Sequence, residues 1–98
     1  MVRHIVLWSL TEGSAKEKLA NAKRMKSELE GLKDRIDGIV QITVEISPLA
    51  SSNRDIMLDS LFVNEAAFEA YKTHPEHVRA GEFVRAVTGE RAAFDCVV

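Results

Sequence analysis

The sequence has little of what disulfide-rich, membrane or nucleic-acid-binding proteins need. Its one cysteine, Cys96, cannot form an internal disulfide or a multi-cysteine zinc site. The apolar run Ile5 to Trp8 is too short to span a membrane, and no signal-peptide cleavage pattern follows it. Thirteen basic against 15 acidic residues give a net charge of −2, which argues against a nucleic-acid or anionic-membrane surface. These absences predict a cytoplasmic protein with neither a membrane nor a nucleic acid as its partner.

The sequence also has no motif of several large enzyme classes. It has no glycine-rich phosphate loop, no G-x-S-x-G turn and no dinucleotide-binding fingerprint. The 98 residues are 46 % hydrophobic and 29 % charged, which is typical of a folded globular chain. This length and composition predict a single domain over residues 1–98.

Hydrophobic periodicity predicts the element order β-α-β-β-α-α-β. Ser14 and Asn64 are expected N-caps of the first two helices, and Pro75 is expected to begin the third. The order predicts an α+β, ferredoxin-like subunit whose four-stranded antiparallel sheet carries its helices on one face. The predicted elements are strands at Val2–Leu10, Ile39–Ser47, Ile56–Val63 and Glu90–Val98, and helices at Ala15–Ile36, at Glu65–Lys72 and from Pro75 onward.

Two of the predicted strands are apolar on both sides. In the first strand, Ile5 and Leu7 lie opposite the face that carries Val6 and Trp8, and in the third strand Met57 and Leu61 lie opposite Leu58. A strand that is buried on both faces needs two covering layers, but this chain supplies helices for one. The pattern predicts a homodimer through the sheet face that carries Ile5, Leu7, Met57 and Leu61. The alternative is a monomer with a modestly apolar surface.

The three histidines are candidates for catalysis or metal binding. His4 lies in an apolar strand on the same face as Val6 and Trp8, where a buried histidine is more often structural than catalytic. His74 and His77 are three residues apart, but Pro75 places His74 before the helix and no further ligand completes a set. The sequence therefore predicts no metal site and indicates no cofactor.

Three segments together resemble a known family, the stress-responsive dimeric α/β-barrel (Dabb) domain. They are the opening V-R-H-I-V-L-W, the N-R-D-I entry to the third strand, and F-E-A-Y-K-T-H-P-E-H-V, which contains the specific Y-x-x-H-P-x-H pattern. The resemblance implies that two ferredoxin-like subunits pair their sheets into a barrel-shaped homodimer. It also implies a small-molecule pocket between each sheet and its helices.

The resemblance implies roles for particular residues. By similarity to a plant polyketide cyclase of the family, Tyr71 and His77 are catalytic and His4 lies beside them. The pocket is then expected to contact a small hydrophobic, β-keto or phenolic ligand and to need no cofactor. The expected substrate-binding residues are Val6, Trp8, Leu58, Gly81, Val84 and Phe94.

The sequence is compatible with three alternative functions. The first is a homodimer with an apolar pocket and cofactor-free acid–base chemistry next to a carbonyl group. The second is a non-enzymatic stress or interaction protein in which the same histidines and tyrosine only satisfy buried polar atoms. The third is a cofactor-free monooxygenase, because such enzymes share the barrel architecture.

Overall fold

The computed structural model describes residues 1–11 and 13–98. The predicted turn after the first strand includes Glu12, which lies outside the described residues. The element order is the predicted one: β1 (Val2–Leu10), α1 (Ala15–Glu30), a 3₁₀ helix (Gly31–Asp34), β2 (Ile39–Glu45), β3 (Ile56–Phe62), α2 (Glu65–Thr73), α3 (Pro75–Val87) and β4 (Thr88–Val97).

The four strands form one antiparallel sheet in the order β2-β3-β1-β4. The chain thus has the ferredoxin-like architecture that its periodicity predicts. Alternate residues of β1 and β3 are buried against the helix layer, among them His4, Val6 and Leu58. None of the helices within residues 1–11 and 13–98 is long and apolar enough to cross a membrane.

The helix caps confirm the local sequence signals. Ser14 accepts a hydrogen bond from the Glu17 N–H at 3.1 Å, and the Glu17 side chain accepts one from the Ser14 N–H, so the capping box is complete. Asn64 accepts a hydrogen bond from the Ala67 N–H at 2.8 Å at the start of α2. These contacts satisfy backbone donors that have no partner within the helix.

One predicted helix end is wrong by six residues and one predicted alternation is wrong, whereas the other element ends differ from the prediction by at most two residues. The first helix ends at Glu30 rather than Ile36, because the chain tightens into a 3₁₀ turn from Gly31 onward. Ile36 is still buried, so the apolar stripe continues past the helix that was expected to carry it. In β2, a register shift between Ile39 and Gln41 breaks the predicted alternation and leaves Val40 exposed.

Gly38 fixes the approach of β2 to α2. Its φ of 92° lies in the left-handed region, which side chains of L-residues rarely adopt. An added Cβ at this position would lie 2.6 Å from the Ala67 Cβ. The turn therefore needs glycine both for its backbone conformation and for its contact with α2.

No helix or strand of the described residues covers the face of the sheet opposite the helices, and only the segment between β2 and β3 lies beside it, next to Leu7 and Met57. Ile5, Leu7, Met57 and Leu61 all lie on it and are half-buried. Phe94 lies opposite Ile5 in the β1–β4 ladder, so the two side chains share this face, and Phe94 is 67 % exposed. We refer to these five residues as the open face.

Candidate functional site

A cavity of about 540 Å³ lies between the helix-covered side of the sheet and helix α3. It brings together the three predicted catalytic residues, His4 from β1, Tyr71 from α2 and His77 from α3. Five of the six predicted contact residues also line it: Val6, Trp8, Leu58, Gly81 and Val84. A volume of this size suits a small molecule rather than a chain segment.

Phe94 does not line this cavity. The expectation that it contacts a ligand there fails because β4 directs Phe94 to the open face, opposite Ile5. Arg91 and Asp95 are an odd number of residues from Phe94, so their side chains point to the other face of β4. They lie on the cavity side, opposite Trp8 and His4.

The rings of Tyr71 and His77 pack against each other as a tilted stack. Their ring centroids lie 4.1 Å apart with an angle of 34° between the planes. The kink between α2 and α3 produces this contact, because α2 ends at the capping residue His74 and Pro75 begins α3 directly after it. His74 serves as the N-cap of α3, since its Nδ1 accepts a hydrogen bond from the Glu76 N–H at 3.1 Å.

The hydrogen bond of His77 fixes which ring nitrogen is available. Nδ1 donates to the Lys72 carbonyl oxygen at 3.2 Å, so Nε2 is the unprotonated nitrogen of the neutral ring. Burial lowers the pKa of His77, and the nearby side chains of His4, Arg85 and Arg91 lower it further, although the hydrogen bond to the Lys72 carbonyl oxygen raises it. His77 is thus neutral, and able to accept a proton, at physiological pH.

Tyr71 is a hydrogen-bond donor rather than a base. Burial raises the pKa of its hydroxyl well above the usual range, so the hydroxyl keeps its proton. The ring packs against Phe62, with centroids 4.8 Å apart, and this contact holds it in the core. No hydrogen bond joins the Tyr71 hydroxyl to another described residue, yet the hydroxyl is not a buried atom left without a partner, since Arg54 Nε is the only such side-chain atom among the described residues.

His4 is held by a carboxylate that the sequence analysis missed. Its Nδ1 hydrogen-bonds to Asp95 Oδ1 on the adjacent strand β4. On its other side in the sheet, the Ser60 hydroxyl donates to the His4 carbonyl oxygen at 2.8 Å. The His4 ring centroid lies 6.4 Å from that of Tyr71. Asp95 therefore fixes the orientation of a histidine that borders the cavity, an arrangement that strand registers alone could have suggested.

Five further cavity residues were not predicted: Leu29, Arg85, Thr88, Gly89 and Arg91. Both arginines are exposed in part along the rim, while Val6, Leu58 and Val84 are buried in the wall. Arg85 follows His77 and Gly81 at four-residue steps along α3, a helical spacing that could have indicated it.

A second cavity, of about 490 Å³, lies on the other side of the sheet. It is formed by Leu7, Met57 and the segment 45–56 that connects β2 to β3. Arg54 borders this cavity and pairs with Glu90 at 3.2 Å, and its Nε is buried without a partner among the described residues. None of the three predicted catalytic residues lines this second cavity.

A ferredoxin-like sheet with a cavity between its strands and helices, and an apolar face on its other side, defines the class of dimeric α/β-barrel proteins. The chain belongs to the stress responsive A/B barrel domain (Dabb) family, whose pattern it matches over residues 2–98. The resemblance seen in the sequence is thereby confirmed.

Solved structures agree with this assignment. A dimeric protein of unknown function with a ferredoxin-like fold from Bacteroides fragilis is 34 % identical, with 99 % of this chain and 95 % of that chain covered and a TM-score of 0.91. A dimeric ferredoxin-like protein of unknown function from Thermobifida fusca is 21 % identical, with 99 % and 90 % covered and a TM-score of 0.80. A hydroxynitrile lyase from Passiflora edulis shares the fold at 11 % identity, with 99 % and 92 % covered and a TM-score of 0.78. A search of functionally curated proteins gives no match.

Proposed function

We propose that this protein is a cytoplasmic homodimer that binds a small apolar carbonyl compound and moves a proton at the carbon next to the carbonyl group. The stacked pair of Tyr71 and His77 in the helix-side cavity carries this proposal. The pair offers a neutral base and a protonated hydroxyl side by side, and both are needed to form an enolate.

The reaction needs no group beyond the chain and its substrate. His77 Nε2 accepts the proton from the α-carbon, and the electron pair of that C–H bond forms a carbon–carbon double bond. The carbonyl π electrons move onto oxygen, and the Tyr71 hydroxyl donates a hydrogen bond to the negative charge that develops there. Transfer of the proton from His77 to a different atom of the enolate completes an isomerisation, and return of a proton that has exchanged with solvent completes hydrogen exchange. In a ring closure the enolate carbon attacks a second carbonyl, and His77 gives its proton to the alkoxide oxygen that forms.

His4 and Asp95 support this chemistry from the other wall of the cavity. The carboxylate fixes the ring of His4, and the other nitrogen of that ring can orient a substrate oxygen.

We place the dimer contact at the open face. Its apolar residues lack a covering layer, and similar structures from Bacteroides fragilis and Thermobifida fusca are described as dimeric. The second cavity, bordered by Leu7 and Met57, lies on the same face and would be covered by the partner copy. Phe94 joins the predicted contact residues there instead of contacting the ligand.

Deuterium exchange tests the proposed chemistry. Phenylacetone, a neutral benzyl ketone, is incubated in D₂O with the protein, and incorporation of deuterium at the carbon between the ring and the carbonyl is followed by NMR. The wild type is expected to accelerate exchange, and Tyr71→Phe is expected to lower the rate by about 10²-fold, as for loss of one oxyanion donor. His77→Gln is expected to abolish the acceleration.

The same variants separate catalysis from a structural role. Tyr71→Phe keeps the ring that packs on Phe62 and removes a hydroxyl without a protein partner, so its free energy of unfolding should change by less than about 1 kcal/mol. A non-enzymatic role predicts the reverse result: no acceleration of exchange by the wild type, and a lower melting temperature for His77→Gln.

A further inference from the structure

Two arginines stand at the rim of the helix-side cavity without an assigned role. Arg85 lies on α3, two turns after His77, and Arg91 lies on β4, opposite Trp8. Both line the cavity, whose deeper wall is apolar. The cavity thus combines an apolar interior with two positive charges at one end, beside the stacked pair of Tyr71 and His77.

The guanidinium group of Arg85 lies against the surface of α3 beside Gly81. A Cβ added at Gly81 would lie 3.2 Å from Arg85 Nη1 and 3.9 Å from its Cζ. The guanidinium therefore folds back over Gly81 toward His77 instead of extending away from the helix. Because glycine has no side chain, this close approach needs no displacement, and the positive charge stays at the cavity.

The two rim arginines differ from the other arginines of the chain in their ion pairs. Within residues 1–11 and 13–98, neither Arg85 nor Arg91 pairs with a carboxylate, and Asp95, on the same side of β4, is bound to His4. The remaining five of the seven arginines pair with acidic side chains: Arg3, Arg24, Arg35, Arg54 and Arg79.

Both arginines lie near the candidate base, because Arg85, Arg91 and His77 line the same cavity. Burial lowers the pKa of His77, and His4 and the two arginines lower it further. An anion bound between them would therefore lie next to the proposed site of proton transfer. A planar carboxylate matches the fork of N–H donors that a guanidinium presents.

We infer that the substrate is an apolar carboxylic acid that also carries a ketone, and that Arg85 and Arg91 bind its carboxylate. This inference rests on the proposed function, which it extends from carbonyl compounds in general to anionic ones. The apolar body of such an acid contacts Val6, Leu58 and Val84, and its ketone faces Tyr71 and His77. The arginines are binding residues, and the proton still moves through His77.

A matched ligand pair tests the inference by isothermal titration calorimetry. The acid is 3-benzoylpropanoate, and its neutral counterpart is 3-benzoylpropanamide, which keeps the aryl ketone and removes the charge. The wild type is expected to bind the acid about tenfold more tightly than the amide. The double variant Arg85→Gln/Arg91→Gln is expected to bind both equally, at the affinity of the amide.

Arg79→Gln is the control variant, and two binding results would overturn the inference. Arg79→Gln removes a charge from α3 that pairs with Glu76 outside this cavity, so both affinities should stay unchanged. Equal binding of acid and amide by the wild type would overturn the inference, as would displacement of the acid by an equal concentration of inorganic phosphate. Either result leaves the proposed function intact if phenylacetone exchange still depends on His77. Failure of that exchange together with preferential binding of the acid would instead overturn the proposed reaction and retain the carboxylate site.

Discussion

Phe94 provides a quantitative test of the proposed dimer. It is 67 % exposed and lies beside Ile5 on the open face, where its ring would enter the contact between the two sheets. A phenylalanine side chain presents about 200 Å², so about 130 Å² of each ring is available for burial. The substitution Phe94→Ala removes most of this area while it leaves the helix-side cavity unchanged.

The expected loss of affinity follows from the area. At about 25 cal/mol per Å², burial of the whole exposed part would contribute about 3 kcal/mol per copy. A two-fold symmetric dimer carries the substitution twice. Even if the partner covers only half of each ring, the two copies together lose about 3 kcal/mol, which is about a hundredfold in the dissociation constant.

Sedimentation equilibrium over a dilution series measures that constant. Leu19→Ala is the matched control, because Leu19 is 49 % exposed on α1, in the helix layer, and its loss should leave dimerisation unchanged. Circular dichroism checks that the Phe94→Ala variant is folded. The reasoning is refuted if Phe94→Ala dimerises as tightly as the wild type, or if the wild type has the mass of a single 10.9 kDa chain at micromolar concentration.

Three further predictions concern stability, and urea denaturation checks each of them. Gly38→Ala should lower the free energy of unfolding by at least about 2 kcal/mol, because of the positive φ and because the new Cβ would lie 2.6 Å from the Ala67 Cβ. Gly31→Ala, at a helical φ with no atom within 4 Å, should raise it by up to about 0.5 kcal/mol. Equal effects of the two substitutions would contradict the backbone argument. Ser60→Ala should cost about 1 kcal/mol, because it removes the hydrogen bond to the His4 carbonyl, and an unchanged value would show that this bond contributes nothing. Finally, the pKa of His77 is lower in the folded chain, so below pH 6.5 the unfolded chain binds more protons and stability should fall as the pH decreases toward the folded-state pKa. His77→Gln should remove this component, and an identical pH dependence in wild type and variant would refute it.

Local signals in the sequence were sufficient for the element order and the caps. The capping residues Ser14 and Asn64 act on donors within three residues of themselves, so their effect is visible without tertiary information. The alternation of β1 and β3 likewise identified their two faces, because side chains of a strand point to opposite sides in turn.

The incorrect predictions concern features that depend on contacts between residues far apart in the sequence. The first helix ends early and Val40 is exposed because the chain must tighten and bulge to bring β2 alongside β3. Phe94 was assigned to the wrong side of the sheet because the face that a strand residue occupies depends on its register with the neighbouring strand. The phase of β4 is weakly marked in the sequence, since most of its residues are exposed on both sides.

The sequence by itself therefore determined the elements, their order and the three residues His4, Tyr71 and His77 that now border one cavity. Only the tertiary structure decided what surrounds them. The pairing of His4 with Asp95 joins residues 91 positions apart, and the rim charges Arg85 and Arg91 come from a helix and a strand that meet across the cavity. Such contacts depend on strand register and helix packing, which no local pattern of residues specifies.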